Sequence, residues 1–145
     1  MDLSYGPEYE DFRRELREFL RGWPLTGAEA ELPPDEQVRL FRKRGIEAGY
    51  VYRTIPAEYG GAGLTSDPIL DRVIQEEYAA SGAPGNKLDQ GPGMLVPTLL
   101  EFGTEEQKRT LIPPTLAGEM IWCQGYSEPG SVSYTHLRAH ETKAN

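Results

Sequence analysis

Between about residue 8 and residue 117, apolar side chains return every three or four positions, and each such run is broken by glycine or proline. This is the period of amphipathic helices rather than the alternation of strands, so the chain is expected to be mainly α. The first run, from about Glu8 to Arg21, puts Phe12, Leu16, Phe19 and Leu20 on one stripe and Arg13, Arg14, Glu15, Arg17 and Glu18 on a wet face. Gly22, Trp23 and Pro24 stop it. A second helix from about Asp35 to Ala48 turns Val38, Phe41 and Ile46 inward and closes at Gly49. The third begins with Ser66 or Asp67 as cap and Pro68 in its first turn, buries Ile69, Leu70, Val73, Ile74 and Tyr78, and ends near Gly82. After Gly91-Pro92-Gly93 a short apolar segment, Met94 to Phe102, accommodates Pro97 in the first turn of a helix reaching Gly103. Thr104-Glu105-Glu106-Gln107 has the residue order of a capping box. The helix it opens is expected to stop before Pro113 and Pro114, with one more turn, Thr115 to Ala117, ending at Gly118.

From Met120 the pattern changes. Residues Met120 to Tyr126 are apolar or strand-prone and precede Ser-Glu-Pro-Gly, which predicts one strand and a turn. A strand needs neighbours, so this one is expected to begin a sheet whose other strands the sequence does not contain. The expected organisation is a helical domain over 1–118, the beginning of a β-domain over 119–131, and a tail over 132–145. That tail has neither strand alternation nor a helical stripe, and it reverses the charge balance of the rest.

At 145 residues the chain suffices for one domain, and its net charge of −8 is the wrong sign for nucleic acid or an anionic membrane. Its start lacks a basic flank and an apolar core of signal-peptide length, and no apolar run approaches the ~20 residues of a membrane span. A cytoplasmic location is expected. A lone cysteine, Cys123, cannot form an internal disulfide, and the two histidines, His136 and His140, lack a third ligand for a metal. There is no nucleophile paired with a base, no G-x-S-x-G elbow and no phosphate-binding loop. The acidic pairs Glu8/Glu10, Glu76/Glu77 and Glu105/Glu106 read as solvated helix faces. Gly60-Gly61-Ala62-Gly63 follows no predicted strand and reads as a tight loop using positive φ.

Four segments, in order, resemble the acyl-CoA dehydrogenase family: Pro56-Ala57-Glu58-Tyr59-Gly60-Gly61-Ala62-Gly63; Phe102-Gly103-Thr104-Glu105-Glu106-Gln107-Lys108; Gly118-Glu119; and Trp122 through Ser131. Each alone is weak, but the four together cover about Asp11 to Ser131. The resemblance implies the family's N-terminal helical domain plus the first strand of its middle domain. It also implies FAD as cofactor, an acyl-CoA substrate oxidised at its α,β bond, electron-transferring flavoprotein as acceptor, and a homo-oligomer when the protein is full length. By the same resemblance Gln124, Tyr126 and Ser127 lie along the flavin ring, with Ser133 at the position of a further flavin-contacting serine. The alternative for Gln124 and Ser127 is that they satisfy strand-end backbone groups. The segment Gln90 to Leu95 corresponds to the wall of the acyl chain. There Met94 and Leu95 suit an apolar tail and a protein core equally well. Glu58 and the loop glycines read as architectural, Trp122 as packing, and Cys123 as an inert small hydrophobe.

The sequence departs from the family after Ser131, where Val132-Ser133-Tyr134 replaces an expected Gly-Ser-Asp turn. The string from Val132 resembles a peptide produced when sequencing-adaptor DNA is translated, so the tail is expected to be foreign. The family's catalytic base is a glutamate of a C-terminal domain, and no residue here takes that role. The chain by itself is therefore expected not to turn over. The alternatives are an acyl-CoA oxidase or a flavin monooxygenase on the same scaffold, or a non-catalytic helical interaction module.

Overall fold

The computed structural model describes residues 6–86 and 89–125. Its elements are helices α1 (Pro7–Leu20), α2 (Pro34–Glu47), α3 (Pro68–Ser81), α4 (Val96–Phe102) and α5 (Glu105–Ala117), with short 3-10 turns at Gly27–Glu31 and Ala57–Tyr59 and a π-turn at Gln90–Leu95. Among the described residues there is no strand.

Local chemistry accounts for the helix boundaries. Pro7, Pro34, Pro68 and Pro97 each sit in a first turn, where a missing N–H costs nothing. The cap of α3 is Asp67, not Ser66: its carboxylate accepts the amides of Ile69 at 2.9 Å and Leu70 at 3.2 Å. The capping box of α5 is present in full, with Gln107 N–H donating to the Thr104 hydroxyl at 3.2 Å and the Thr104 amide donating to the Gln107 side chain at 2.9 Å. Leu16, Phe41, Val51, Val73, Val96, Ile112 and Leu116 are fully enclosed and form the centre of the core. Phe12 and Phe19 of α1 flank it and meet Tyr50 with ring centroids 5.6 and 5.1 Å apart.

Three expectations are corrected. Helix α5 does not stop at its prolines but runs through Pro113 and Pro114 to Gly118, whose φ is 78°. Ile112 and Leu116, one turn apart across the prolines, are both buried, and enclosing two such side chains recovers about 3–6 kcal/mol. That is comparable with the penalty for proline inside a helix, about 3 kcal/mol each. The last turn is fastened further by the Thr115 hydroxyl, which donates to Leu111 O at 2.6 Å, and by the amides of Glu119 and Met120, which donate to Pro114 O at 2.9 and 3.1 Å.

The second correction concerns the charged faces. Arg13 and Glu77 are not solvated, their side chains being 14% and 7% exposed. Helix α1 lies along α3, so Arg13 Nη1 and Arg17 Nε reach Glu77 at 2.6 and 2.7 Å, and Arg13 Nη2 reaches Glu76 at 3.1 Å. Third, Ile69 lies in the uncovered first turn of α3 and is exposed rather than buried. The segment expected to begin a sheet, Met120 to Tyr126, has no strand pairing over its described part, Met120 to Gly125, in keeping with the expectation that its partner strands lie outside this sequence. Tyr126 and the expected turn and tail lie outside the described residues.

The glycine loop is architectural. Gly60 has φ 91°, and a Cβ on Gly61 would overlap the carbonyl oxygen of Ile55. Tyr59, buried, donates its hydroxyl to Glu105 at 2.9 Å, and Arg109 pairs with Glu58 at 3.1 Å, so the loop is fastened to the start of α5.

Candidate functional site

The π-turn ahead of α4 shapes the site. Asp89 holds its start, accepting the Gly91 amide on the side chain at 3.2 Å and the Gly93 amide on the backbone carbonyl at 2.8 Å. Gly91 has no substitute here: a Cβ would lie 2.8 Å from Thr115 Cγ2 and 2.9 Å from Trp122 Cδ1. Its absence lets the turn seat against α5 and against the chain that leaves α5. Thr115, buried in α5, accepts the Trp122 indole N–H at 2.9 Å while its own proton goes to Leu111 O. The indole is thereby tied down, and residues 122–124 fold back beside the turn.

A cleft of about 220 Å³ results, lined by Gln90, Met94, Leu95, Thr98, Trp122, Cys123 and Gln124. The structure thus brings together Gln90, Met94, Leu95 and Gln124, four of the seven residues singled out from the sequence. Tyr126, Ser127 and Ser133 lie outside the described residues. Met94 is exposed, so of the two readings open for it a core position is ruled out, whereas Leu95 is half-buried and packs on the core. Thr98 donates its hydroxyl to Met94 O at 2.9 Å, and the side chains of Gln90 and Gln124 add two carboxamides to the lining. Trp122 is half-buried packing, as expected, and Cys123 is exposed.

Among the described residues no carboxylate, lysine, arginine or histidine lines this cleft, whose described lining is apolar side chains with two carboxamides. Among the described residues no three His, Cys, Asp or Glu side chains converge as a metal site. Nor is any helix among them long and apolar enough to cross a membrane. Sequence reasoning missed Thr115 and the steric role of Gly91. The first reads as an ordinary helix residue, and the second was visible only as part of a Gly-Pro-Gly breaker.

Residues 6–119 match the family model described as Acyl-CoA dehydrogenase, N-terminal domain. The chain is 36% identical over 138 residues to acyl-CoA dehydrogenase IpdE1 of Mycolicibacterium smegmatis, covering 87% of this chain and 34% of that protein. It is 33% identical over 139 residues to acyl-CoA dehydrogenase FadE26 of Mycobacterium tuberculosis, covering 90% of this chain and 34% of the relative. Among solved structures, the ChsE4-ChsE5 complex from Mycobacterium tuberculosis superposes with a TM-score of 0.60 at 32% identity, covering 90% of this chain and 33% of that one. The chain spans about a third of the length of these two relatives.

Proposed function

The chain belongs to the acyl-CoA dehydrogenase family, and from that premise we propose that it is the N-terminal helical part of an FAD-dependent enzyme oxidising the α,β bond of an acyl-CoA thioester. The observation that carries this reading is the cleft in which Gln90, Met94 and Leu95 stand opposite Trp122 and Gln124. Met94 and Leu95 offer an unbranched thioether and a branched alkyl wall, suited to the adaptable packing of an acyl chain. Gln124 offers a donor and an acceptor to the polar edge of the flavin, and Tyr126, Ser127 and Ser133 are proposed to extend that contact.

The donor set fits the cofactor. A carboxamide beside an indole and an apolar floor is the surrounding an aromatic ring with polar edges requires, and no charged group among the described lining residues opposes it. When bound, FAD supplies the acceptor for the hydride from the substrate's β-carbon. This chain's share is to fix the acyl group, exclude water from it and hold the ring edge, so that the reacting atoms start near their transition-state positions. The acceptor of the α-proton is assigned to the two-thirds of the family's length that the chain does not span, and the 145 residues alone are proposed to be inactive.

Electron-transferring flavoprotein is the proposed acceptor and the cytoplasm the proposed location. The ChsE4-ChsE5 complex supports a further proposal, that the protein works in association with a second subunit. The test is direct. The polypeptide carrying this sequence followed by the remainder of the family's length should purify with flavin colour, and an acyl-CoA added without oxygen should bleach it. A polypeptide that stays colourless after reconstitution with FAD overturns the reading, and hydrogen peroxide formed without another acceptor turns it toward an oxidase.

A further inference from the structure

A second recess, with no lining residue in common with the Trp122 cleft, lies between α2 and α5 beside the Gly60-Gly61 loop and has a volume of about 540 Å³. Its wall is mostly apolar, with Leu40, Ile46, Pro113 and Leu116 contributing side-chain carbon. Three cations of α2 also reach it, Arg39, Arg42 and Lys43, spaced so that they share one helix face. Two of them have partners, Arg39 with Asp35 at 2.8 Å and Lys43 with Glu47 at 4.0 Å. Arg42 differs. It is only 8% exposed, it donates from Nε to Gly85 O at 3.1 Å, and among the described residues no carboxylate pairs with it. Glu119, on the rim, does not reach it.

An enclosed cation without a counter-ion is costly, and the carbonyl end of α5 at Gly118, next to Arg42 Nη1, offsets only part of that cost. The two terminal guanidinium nitrogens form a planar fork suited to two oxygens of one anion. Beyond that fork the recess is lined mainly by carbon, with the carboxylate of Glu119 at its rim, and its size is that of a small-ligand site. We infer that the groove between α2 and α5 binds an amphipathic anion with a single head, its carboxylate or phosphate on Arg42 and its aliphatic body against Ile46, Pro113 and Leu116. This site is additional to the flavin and acyl-chain cleft and stands whether or not that reading holds.

Decanoate and decyl phosphate, below their micelle-forming concentrations, are the probes for the two head groups, with decyltrimethylammonium as the same body under the opposite charge. Titrated into the isotope-labelled chain, at least one of the two anions should produce saturable NMR shifts centred on the amides of Ile46 and Leu116. Arg42→Gln, which keeps a donor for Gly85 O, should weaken binding by about tenfold or more. Ala117→Phe, at an exposed position on the wall, should abolish binding by filling the groove, and it decides the matter if the Arg42 variant does not fold. Met94→Gln should leave the shifts unchanged. Equal binding of the cationic amphiphile, undiminished binding by the folded Arg42 or Ala117 variant, or no saturable shift with either anion overturns the inference.

Discussion

Two side chains show how much a single atom decides in this molecule. Gly91 lies where three segments converge, and the Cβ of an alanine would press on Thr115 and Trp122 at once. Gly91→Ala should therefore destabilise the chain by about 1–3 kcal/mol, the usual cost of overpacking. It should also displace the indole from the Thr115 hydroxyl, so a shift in tryptophan emission accompanies the lowered Tm; unchanged emission and Tm would contradict the steric role given to this glycine. Tyr78 is the converse case. Its ring is buried, but its hydroxyl, facing Gly45, has no hydrogen-bond partner among the described residues, and burial pushes its pKa well above the ordinary phenol value. Tyr78→Phe removes a polar atom that receives nothing in return. The expected result is stability unchanged or raised by up to about 1 kcal/mol, measured by denaturant unfolding, whereas a loss beyond about 1 kcal/mol would mean the hydroxyl is engaged after all.

At the scale of elements, the contact between α1 and α3 combines an apolar seam with a charged one. Hydrogen bonds from Arg17, and then from Arg13, hold the Glu77 carboxyl below the usual carboxylate range even though burial opposes them. A carboxyl whose pKa is lower folded than unfolded stabilises fully above its unfolded value of 4.5 and loses that contribution as pH falls through the folded value. The α1–α3 pairing is thus expected to weaken on acidification below about pH 4.5, and Glu77→Gln should remove this part of the acid dependence. The same variant should cost about 1–3 kcal/mol at neutral pH, since hydrogen bonds to a charged acceptor are lost. A pH profile of unfolding identical for both proteins would show that Glu77 is not the group responsible. This pairing was not legible in the sequence. The 3.6-residue period identifies which face of α1 is apolar, but not that α3 will cover its charged flank. The helices themselves were legible to within a residue or two, because Asp67, Thr104 and the leading prolines carry their boundaries in side-chain chemistry. Helix α5 was misread at Pro113 for the opposite reason. The local rule is sound, but burial of Ile112 and Leu116 on either side outweighs it, and that term is tertiary. The candidate site was legible only through resemblance. Nothing in the spacing of Gln90, Met94 and Gln124 brings them together; the Thr115–Trp122 hydrogen bond does so, across a left-handed turn at Gly118.

For the molecule as a whole, the decisive quantity is the apolar surface left on the outside. Ile121 is 81% exposed and Phe102 is 77% exposed, with Met94 and Leu64 also uncovered, in a chain whose core is otherwise closed. Scattered exposed hydrophobes are ordinary, but Met94 lines the cleft and Ile121 directly precedes the cleft residues Trp122 to Gln124. In relatives about three times as long, such surfaces have further polypeptide available to cover them. The cleft, in the reading proposed above, would present one wall to the flavin: two carboxamides and an indole, with no phosphate-binding cation among its described lining residues. A dinucleotide held on one face gains too few contacts to offset the freedom it loses on binding. The 145-residue chain, expressed alone and mixed with FAD, is therefore expected to elute colourless from gel filtration and, through its exposed apolar groups, partly as associated species. Light scattering with absorbance detection across the elution profile measures both properties together. A monodisperse monomer carrying one FAD per chain would show that these helices hold the cofactor unaided, and the division of labour proposed above would have to be redrawn.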